Sequence, residues 1–451
     1  MKDLSRQLSP PAILALSFLF LIGLGSVLLY LPFTHFGPLS YLDALFTSTS
    51  AVCVTGLIVV DTGTKFTHWG QVIIIILIQL GGLGLMTFST VVLMLLGKFP
   101  SFKGRLVLQD TLTHSPTKDL FSLVKSVFLF TFITEAIGCL ILTLHWTRVY
   151  PLSQAFFYGF FHSISAFCNA GFSLFSNNLE GFKADPVVLL TIAFLIIFGG
   201  IGFLVATECM ARLYAKKKRF SLHTRLTLLT TAYLIGVGTL LIFIFEYHNT
   251  LYGLSLPGKL INAFFQAATP RTAGFNSLPI AQLTEPTLFL LVLLMFIGAS
   301  PGSCGGGIKT TTFAVFLGLI WNKIKRREKT HILHRTLPAS TVDRAFLVIT
   351  LSFILVTVCL FLLLLTQAYG MSHNLSSNHF RFLDYLFETV SAFGTVGLST
   401  GVTSTLNSVG KLIIIVLMFI GRVGPLTIVH LVKIEEVARR YQYAEERVMI
   451  G

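Results

Sequence analysis

Apolar residues run along the chain in long blocks separated by short polar stretches, and the blocks have the length of a bilayer rather than the period of a soluble core. A hydrocarbon layer of roughly 30 Å takes about 20 apolar helical residues. Eight stretches meet that length: residues 11–32, 69–97, 122–146, 187–214, 225–246, 287–321, 344–367 and 409–432. A shorter apolar piece lies between the first and second, third and fourth, fifth and sixth, and seventh and eighth. These four pieces, residues 43–52, 155–167, 260–269 and 384–393, are too brief to cross and read as re-entrant. The pattern predicts an all-α membrane protein with eight transmembrane helices and four re-entrant segments.

Composition agrees, because 54% hydrophobic and 12% charged residues with a mean hydropathy of +0.80 exclude a water-soluble fold of this length. The net charge of +14 is then a topology signal before it is a sign of any anionic partner. With both termini and every second loop on one side, that side collects 24 of the 33 lysines and arginines and the other only six, so both termini are expected in the cytoplasm. Arg271, Lys309 and Arg422 fall inside apolar or glycine-rich sequence instead. The polar start and following apolar run carry no small-residue cleavage site, which predicts an uncleaved first helix. Cys53, Cys139, Cys168, Cys209, Cys304 and Cys359 have no paired spacing, so they read as buried thiols rather than a disulfide framework or a metal cluster.

Each short piece ends in the same pattern. Aligned on Gly56, Gly171, Gly274 and Gly397, all four carry a phenylalanine ten residues earlier (Phe46, Phe161, Phe264, Phe387) and a small residue five earlier (Ala51, Ala166, Thr269, Ala392). The chain is therefore read as four pseudo-symmetric copies of a helix, short helix, helix unit around one central pore, divided at 1–100, 101–219, 220–330 and 331–451. One glycine in a loop is ordinarily a tight turn. Four in register point further, because non-helical backbone at membrane depth is tolerated only where it is buried or lines a water-filled cavity. A ring of backbone carbonyls replaces the hydration shell of a permeating cation. The expected potassium-binding residues, mainly through their carbonyls, are Cys53, Val54, Thr55 and Gly56; Cys168, Asn169, Ala170 and Gly171; Arg271, Thr272, Ala273 and Gly274; and Gly394, Thr395, Val396 and Gly397. The short helices would add the partial negative charge of their C-terminal ends. Ser40 with Asp43, and Asp384, suit helix starts, although solvated placement is as good a reading of the acids. The Arg271 side chain would oppose a cation and is expected to point away.

The sixth span is interrupted by GASPGSCGGG, too much glycine and proline for a continuous helix. It predicts an intramembrane gate loop over 298–309, with Gly298, Ser300, Gly302, Ser303, Cys304, Gly305, Gly306, Gly307 and Lys309 as gate residues. Arg422, ionisable within the last span, joins them. It could face the conduction axis, bind carbonyls of that loop, or form a structural ion pair. Gly81, Gly82 and Gly84, with Gly199, Gly200 and Gly202, read as small-residue helix contacts. Glu135 reads as a hydrogen-bonded core acid, and His162 and Glu388, in the same register, as braces behind the re-entrant turns or as solvated groups.

The segments AVCVTGLIVVDTGTKF, FHSISAFCNAGFSL, QAATPRTAGFNSL and ETVSAFGTVGLSTG, with GASPGSCGGGIKTTTF and MFIGRVGPLT, resemble the potassium-translocating subunits of the Trk, Ktr and HKT superfamily, most closely the Ktr type. The resemblance runs nearly end to end. It implies potassium uptake across a bacterial plasma membrane through a selectivity filter, with sodium as an activator left open. In plant relatives a serine at the first filter glycine goes with sodium preference, and Gly56 stands here. The resemblance also implies that Arg422 contributes to the gate. It further implies a homodimer on a cytosolic RCK-type ring, with ATP or ADP bound only to that partner. The loops around Lys216 and Arg326 are basic docking candidates or positive-inside anchors. A proton- or sodium-coupled carrier and a polytopic membrane enzyme are the competing classes. Neither has much support, since no HExxH motif occurs and only Glu135, Lys309 and Arg422 are ionisable at midplane.

Overall fold

The computed structural model describes residues 10–84, 120–215, 220–370 and 380–425, and these are mostly helical with almost no strand. In chain order the helices are α1 (Pro10–Leu29), α2 (Tyr41–Val52), α3 (Thr62–Lys65), α4 (His68–Leu83), α5 (Leu120–Trp146), α6 (Leu152–Phe167), α7 (Pro186–Gly200), α8 (Phe203–Ala215), α9 (Leu222–Glu246), α10 (Leu256–Ala268), α11 (Glu285–Phe296), α12 (Thr310–Ile324), α13 (Ala339–Gly370), α14 (Phe382–Gly394), α15 (Val402–Thr405) and α16 (Ser408–Val423). A small antiparallel hairpin, His331–Ile332 with Arg335–Thr336, follows α12.

Among the described residues α1, α5, α9 and α13 are each long and apolar enough to cross a bilayer alone. Their outward residues, such as Phe20 on α1 and Phe361 on α13, are exposed, as expected where lipid replaces water as the surrounding solvent. The expected second and eighth spans begin as α4 and α16, and the remainder of each expected stretch lies outside the described residues. The fourth, expected as one span with glycine contacts, is instead broken. Helices α7 and α8 meet at 100°, and Gly202 takes φ +95° at the bend. The sixth is divided into α11 and α12 by residues 297–309.

The four short apolar pieces form α2, α6, α10 and α14. Polar side chains satisfy free backbone amides at the starts of α2, α10 and α14, whereas α6 follows Pro151 with no side-chain cap. Ser40 Oγ accepts from Asp43 N at 3.1 Å and donates to Asp43 Oδ2 at 2.7 Å, and Arg381 N donates to Asp384 Oδ2 at 2.8 Å. The aligned phenylalanines Phe46, Phe161 and Phe387 are fully buried, whereas in α10 Phe265 takes the buried place and Phe264 is half-buried.

Helix contacts close on themselves. α4 packs on α6, α7 on α10, α11 on α14, and α16 on α2. Each short helix is thereby flanked by a helix from the preceding unit, the first by the last. Polar ties reinforce the seams: Lys411 Nζ of α16 lies 2.7 Å from Asp43 of α2, and Arg381 pairs with Glu285. Buried Glu246 at the end of α9 accepts from Thr284 N, Thr284 Oγ1 and Thr287 Oγ1 at 2.9, 2.8 and 2.6 Å, fixing α11 to α9.

Candidate functional site

The C-terminal ends of α2, α6, α10 and α14 lead directly into four loops that bring the aligned glycines together. Gly56, Gly171, Gly274 and Gly397 take φ of +89°, +71°, +73° and +93°. A side-chain carbon on each would stand 2.4, 2.8, 2.2 and 2.1 Å from the carbonyl oxygens of Ala170, Ala273, Val396 and Thr55 respectively. Each oxygen belongs to the residue just before the next glycine, so the four close contacts run round a complete ring. No residue with a Cβ fits there, by contact or by conformation.

A second left-handed position precedes each glycine by two residues: Val54 at φ +57°, Asn169 at +60°, Thr272 at +76° and Thr395 at +49°. Such conformations cost on the order of 1–3 kcal/mol each for non-glycine residues, most for β-branched ones, and persist only where surroundings over-determine them. Here hydroxyls do so. Ser50 Oγ accepts from Gly56 N at 3.0 Å and Ser391 Oγ from Gly397 N at 3.1 Å. Ser165 Oγ donates to Phe172 O at 2.8 Å and Thr269 Oγ1 to Phe275 O at 2.5 Å. Thr55 N, Ala170 N, Ala273 N and Val396 N bond back to short-helix carbonyls at 2.7–2.9 Å. Behind the second and fourth loops, His162 Nε2 lies 3.0 Å from Ser173 Oγ, and Glu388 Oε1 accepts from Ser399 Oγ at 2.6 Å and from Thr403 N at 2.9 Å.

On the side where the chain leaves the glycines, a cavity of about 330 Å³ opens over Gly56, Gly171 and Gly397. Its lining includes Asp61, Glu180, Asn177 and Asn276, and no lysine or arginine. Glu180 accepts from Asn276 Nδ2 at 2.8 Å, and its burial holds its carboxyl above the usual range, against the opposing pull of that bond and of Lys183.

On the side where the chain approaches the glycines lies the loop 297–309. Gly298 is pressed against the Gly306 carbonyl. Ser300 N donates to Gly200 O at 3.1 Å and Cys304 N to Gly199 O at 3.2 Å, while Gly302 O accepts from Phe203 N at 2.8 Å. Ser303 Oγ bonds Ser300 O at 2.6 Å, Gly306 N donates to Thr395 Oγ1 at 3.1 Å, and Gly307 N to Gly421 O at 3.2 Å. Gly305 leaves no room for a methyl against Thr272 Oγ1. The loop thus touches Thr272 and Thr395, the residues two before the ring glycines.

Two cations hold it. Lys309 Nζ donates to Gly305 O at 2.7 Å. Arg422 donates through one nitrogen to Cys304 O and through the other to Gly81 O and, at 3.3 Å, Gly82 O. Of the three expected options for Arg422 the carbonyl one is realised, with no acidic partner among the described residues. Arg271 points the other way, donating to Thr231 Oγ1 of α9 at 3.2 Å. Glu135 is buried, accepting from Gln79 Nε2 at 3.3 Å. Asn169, with its amide nitrogen toward Ala166 and Ile196 carbonyls at 3.0 and 3.1 Å, accepts from Thr272 Oγ1 at 3.3 Å and so links two of the loops.

Sequence reasoning passed over Ser50, Ser165 and Ser391. Their signal was available as a hydroxyl six residues before three of the four glycines, displaced by one position to Thr269 in the third. It also read Gly81, Gly82, Gly199 and Gly200 mainly as packing contacts. Gly81, Gly199 and Gly421 do pack on the carbonyls of Val52, Phe167 and Phe393, but the carbonyls of Gly81, Gly82, Gly199, Gly200 and Gly421 also hold the loop or Arg422.

Residues 12–440 match the family model described as TrkH, cation transport protein. The chain is similar to the Ktr system potassium uptake protein B of Bacillus subtilis, 45% identical over 94% of this chain and 93% of that protein. It is 41% identical to the protein of the same name from Vibrio alginolyticus, over 98% and 95%. It is also 35% identical to the potassium/sodium uptake protein NtpJ of Enterococcus hirae, over 100% and 99%. Among solved structures, the potassium transporter TrkH from Vibrio parahaemolyticus matches with a TM-score of 0.73, covering 95% of this chain and 86% of that one at 19% identity, a likeness of fold. These relatives are transporters, so the membrane-enzyme alternative falls. The chain is a multi-pass membrane protein and belongs to the TrkH cation transport family.

Proposed function

We propose that this protein takes up potassium through a central pore whose selectivity filter is the glycine ring, and that the loop 298–309, with Arg422, is its gate. The observation that carries this reading is the ring itself: four left-handed glycines, each within side-chain contact of the next loop's carbonyl. Carbonyl oxygens gathered this closely and held rigidly substitute for water around a dehydrated cation. The four short helices add partial negative charge at their C-terminal ends. The acidic cavity supplies cations from one side, and the Lys309–Arg422 pair on the other discourages a cation from dwelling below the ring.

In this reading the four pseudo-symmetric units are 1–100, 101–219, 220–330 and 331–451, with eight spans in all. The acidic cavity faces outward, and both termini and the basic hairpin after α12 lie in the cytoplasm of a bacterium. The Ktr system names of the relatives support a separate regulatory subunit. We assign the chain to a homodimer on an RCK-type ring that carries the ATP or ADP. The potassium/sodium name of one relative makes sodium a second ion to test.

Rubidium uptake by proteoliposomes containing the purified full-length chain tests the reading. The expected result is uptake that potassium competes away and sodium does so poorly. Transport of a substrate other than an alkali cation, with no rubidium uptake, would overturn it.

A further inference from the structure

Helix α12 carries an apolar stripe to its last residue. Leu317, Ile320, Trp321 and Ile324, spaced to share one face, are 46, 40, 59 and 70% exposed. Such a stripe needs an apolar neighbour as far as Ile324, and a tryptophan near its end is the residue type that settles at a membrane–water boundary. Residues 323–344 then hold seven lysines and arginines against two acids, all of them exposed. None of the seven pairs with an acid among the described residues. Lys325 Nζ lies instead 4.5 Å above the Trp321 ring.

A basic run after a span ordinarily extends into water as an anchor. Here it turns back. Asn322 Nδ2 donates to Gly318 O at 2.7 Å and to His331 O at 3.0 Å, and a side-chain carbon on Gly318 would stand 2.6 Å from Ile332 Cδ1. Ile332 and Leu337 pack with Leu319 against Val315, Val342 and Ala345. The strand His331–Ile332 therefore lies beside the helix at Gly318, roughly 9 Å back along the axis from Ile324. The hairpin is thus held level with Trp321, at the depth of phospholipid headgroups, rather than out in solution. Its tip suits the same boundary. Leu333 is exposed, and it and His334 take φ of +48° and +61°, a tight turn that leucine adopts only at a cost.

We propose that α12 and the basic hairpin form a docking surface for anionic phospholipid. Headgroup phosphates meet Lys325, Arg326, Lys329 and Arg335, and an acyl chain covers Leu317, Ile320, Trp321 and Ile324. A second copy of the chain would cover the stripe and leave its own like charges facing these, and an acidic soluble partner would meet the charges and leave the stripe bare. A molecule with an anionic head and an apolar tail satisfies both. The proposal rests on α12 crossing the membrane, and not on the ring or the loop acting as filter or gate.

Tryptophan fluorescence of the full chain in vesicles tests it. The share of Trp321 is the difference from Trp321→Phe, since the other tryptophans are Trp69 and Trp146. Phosphatidylglycerol and phosphatidylcholine, each with brominated chains that quench on contact, are titrated separately into unbrominated phosphatidylcholine. Half-quenching of Trp321 is expected at an about threefold or more lower fraction of the phosphatidylglycerol, and about 0.5 M salt should remove most of that difference. Arg326→Gln, Lys329→Gln and Arg335→Gln combined should abolish it, whereas Arg326→Lys, Lys329→Arg and Arg335→Lys combined should keep it. Equal quenching by the two lipids, a preference indifferent to salt, or one retained in the glutamine variant overturns the proposal. Quenching of Trp321 by neither lipid also overturns it and puts another protein surface over the stripe. The salt arm is read on the parent, so it decides even where a variant fails to fold. Rubidium uptake by the same vesicles is read separately, and its absence with the lipid preference intact would count against the transport reading alone.

Discussion

The glycine ring and the glycine-rich loop are both irregular backbone at membrane depth, yet they are held in opposite ways. Each ring turn is braced from within its own unit, by a hydroxyl and amides a few residues away: Ser50 to Gly56, Ser165 to Phe172, Thr269 to Phe275, Ser391 to Gly397. The loop 297–309 takes its ties largely from residues about a hundred or more positions distant, Gly199, Gly200, Thr395, Gly421 and Arg422. Local bracing resists displacement of any one turn. Ties to separate helices can be released together by a small shift of those helices, each costing only about 1 kcal/mol net. Gly305, Gly306 and Gly307 also bury no side chain, so withdrawing them forfeits little apolar contact. On the proposed reading, a rigid selector and a detachable obstruction are built from the same residue type.

The comparison breaks most readily at the ring. Gly56→Ser places a Cβ 2.4 Å from the Ala170 oxygen in a backbone conformation that serine adopts at a cost. Potassium over sodium preference should fall about tenfold or more, equivalent to ~1.4 kcal/mol or more, measured by sodium competition against rubidium uptake. Unchanged preference would remove the ring from the selection step. Shortening the loop within 302–306 should instead raise uptake severalfold with preference intact, because it acts only on the detachable part. Uptake equal to the parent's would leave the loop a packing element.

A pair of milder changes sharpens the distinction. Ser391→Ala leaves the partly buried amide of Gly397 without its acceptor, a loss of about 1 kcal/mol confined to one ring turn. Ion preference should weaken while the maximal rate changes little. Arg422→Gln removes the charged clamp between Cys304 and Gly81 and should do the reverse, raising uptake with preference kept. If both variants changed the same property, the division between a locally braced selector and a distantly tied gate would be lost.

The sequence made the ring legible because its requirement is positional: only glycine fits, and four copies in register expose the pattern. The short helices were legible for a related reason, since 10–14 apolar residues cannot span. The braces were harder to see. A serine six residues before a glycine in an apolar helix looks like a tolerated small polar residue until its partner is known, and the third unit moves the hydroxyl to Thr269. The break in the fourth span was hidden for another reason. GGIG at 199–202 reads as a packing stripe in an otherwise apolar run, and the bend depends on the loop amides of Ser300 and Cys304, about 100 residues away, that bind the Gly200 and Gly199 carbonyls. The role of Arg422 was left open among three options for the same cause, because its acceptors come from two distant units.

The smallest effect is expected at the acidic cavity, which on the proposed reading faces outward and neither selects nor gates. Glu180 shares that cavity with Gly56, Gly171 and Gly397, and its burial raises its carboxyl above the usual range. A raised value means that the proton is gained earlier as pH falls, so the cavity loses a negative charge before an ordinary glutamate would. Lowering the outside pH from about 7 to about 5 should therefore raise the rubidium concentration for half-maximal uptake, with preference unchanged. The group is partly exposed and screened, so the change should be about twofold or less at physiological salt. Glu180→Gln should show the raised concentration already at neutral pH and a flatter response to acid. An identical acid response in parent and variant would move the titrating group elsewhere, and a change in ion preference would mean that the cavity takes part in selection.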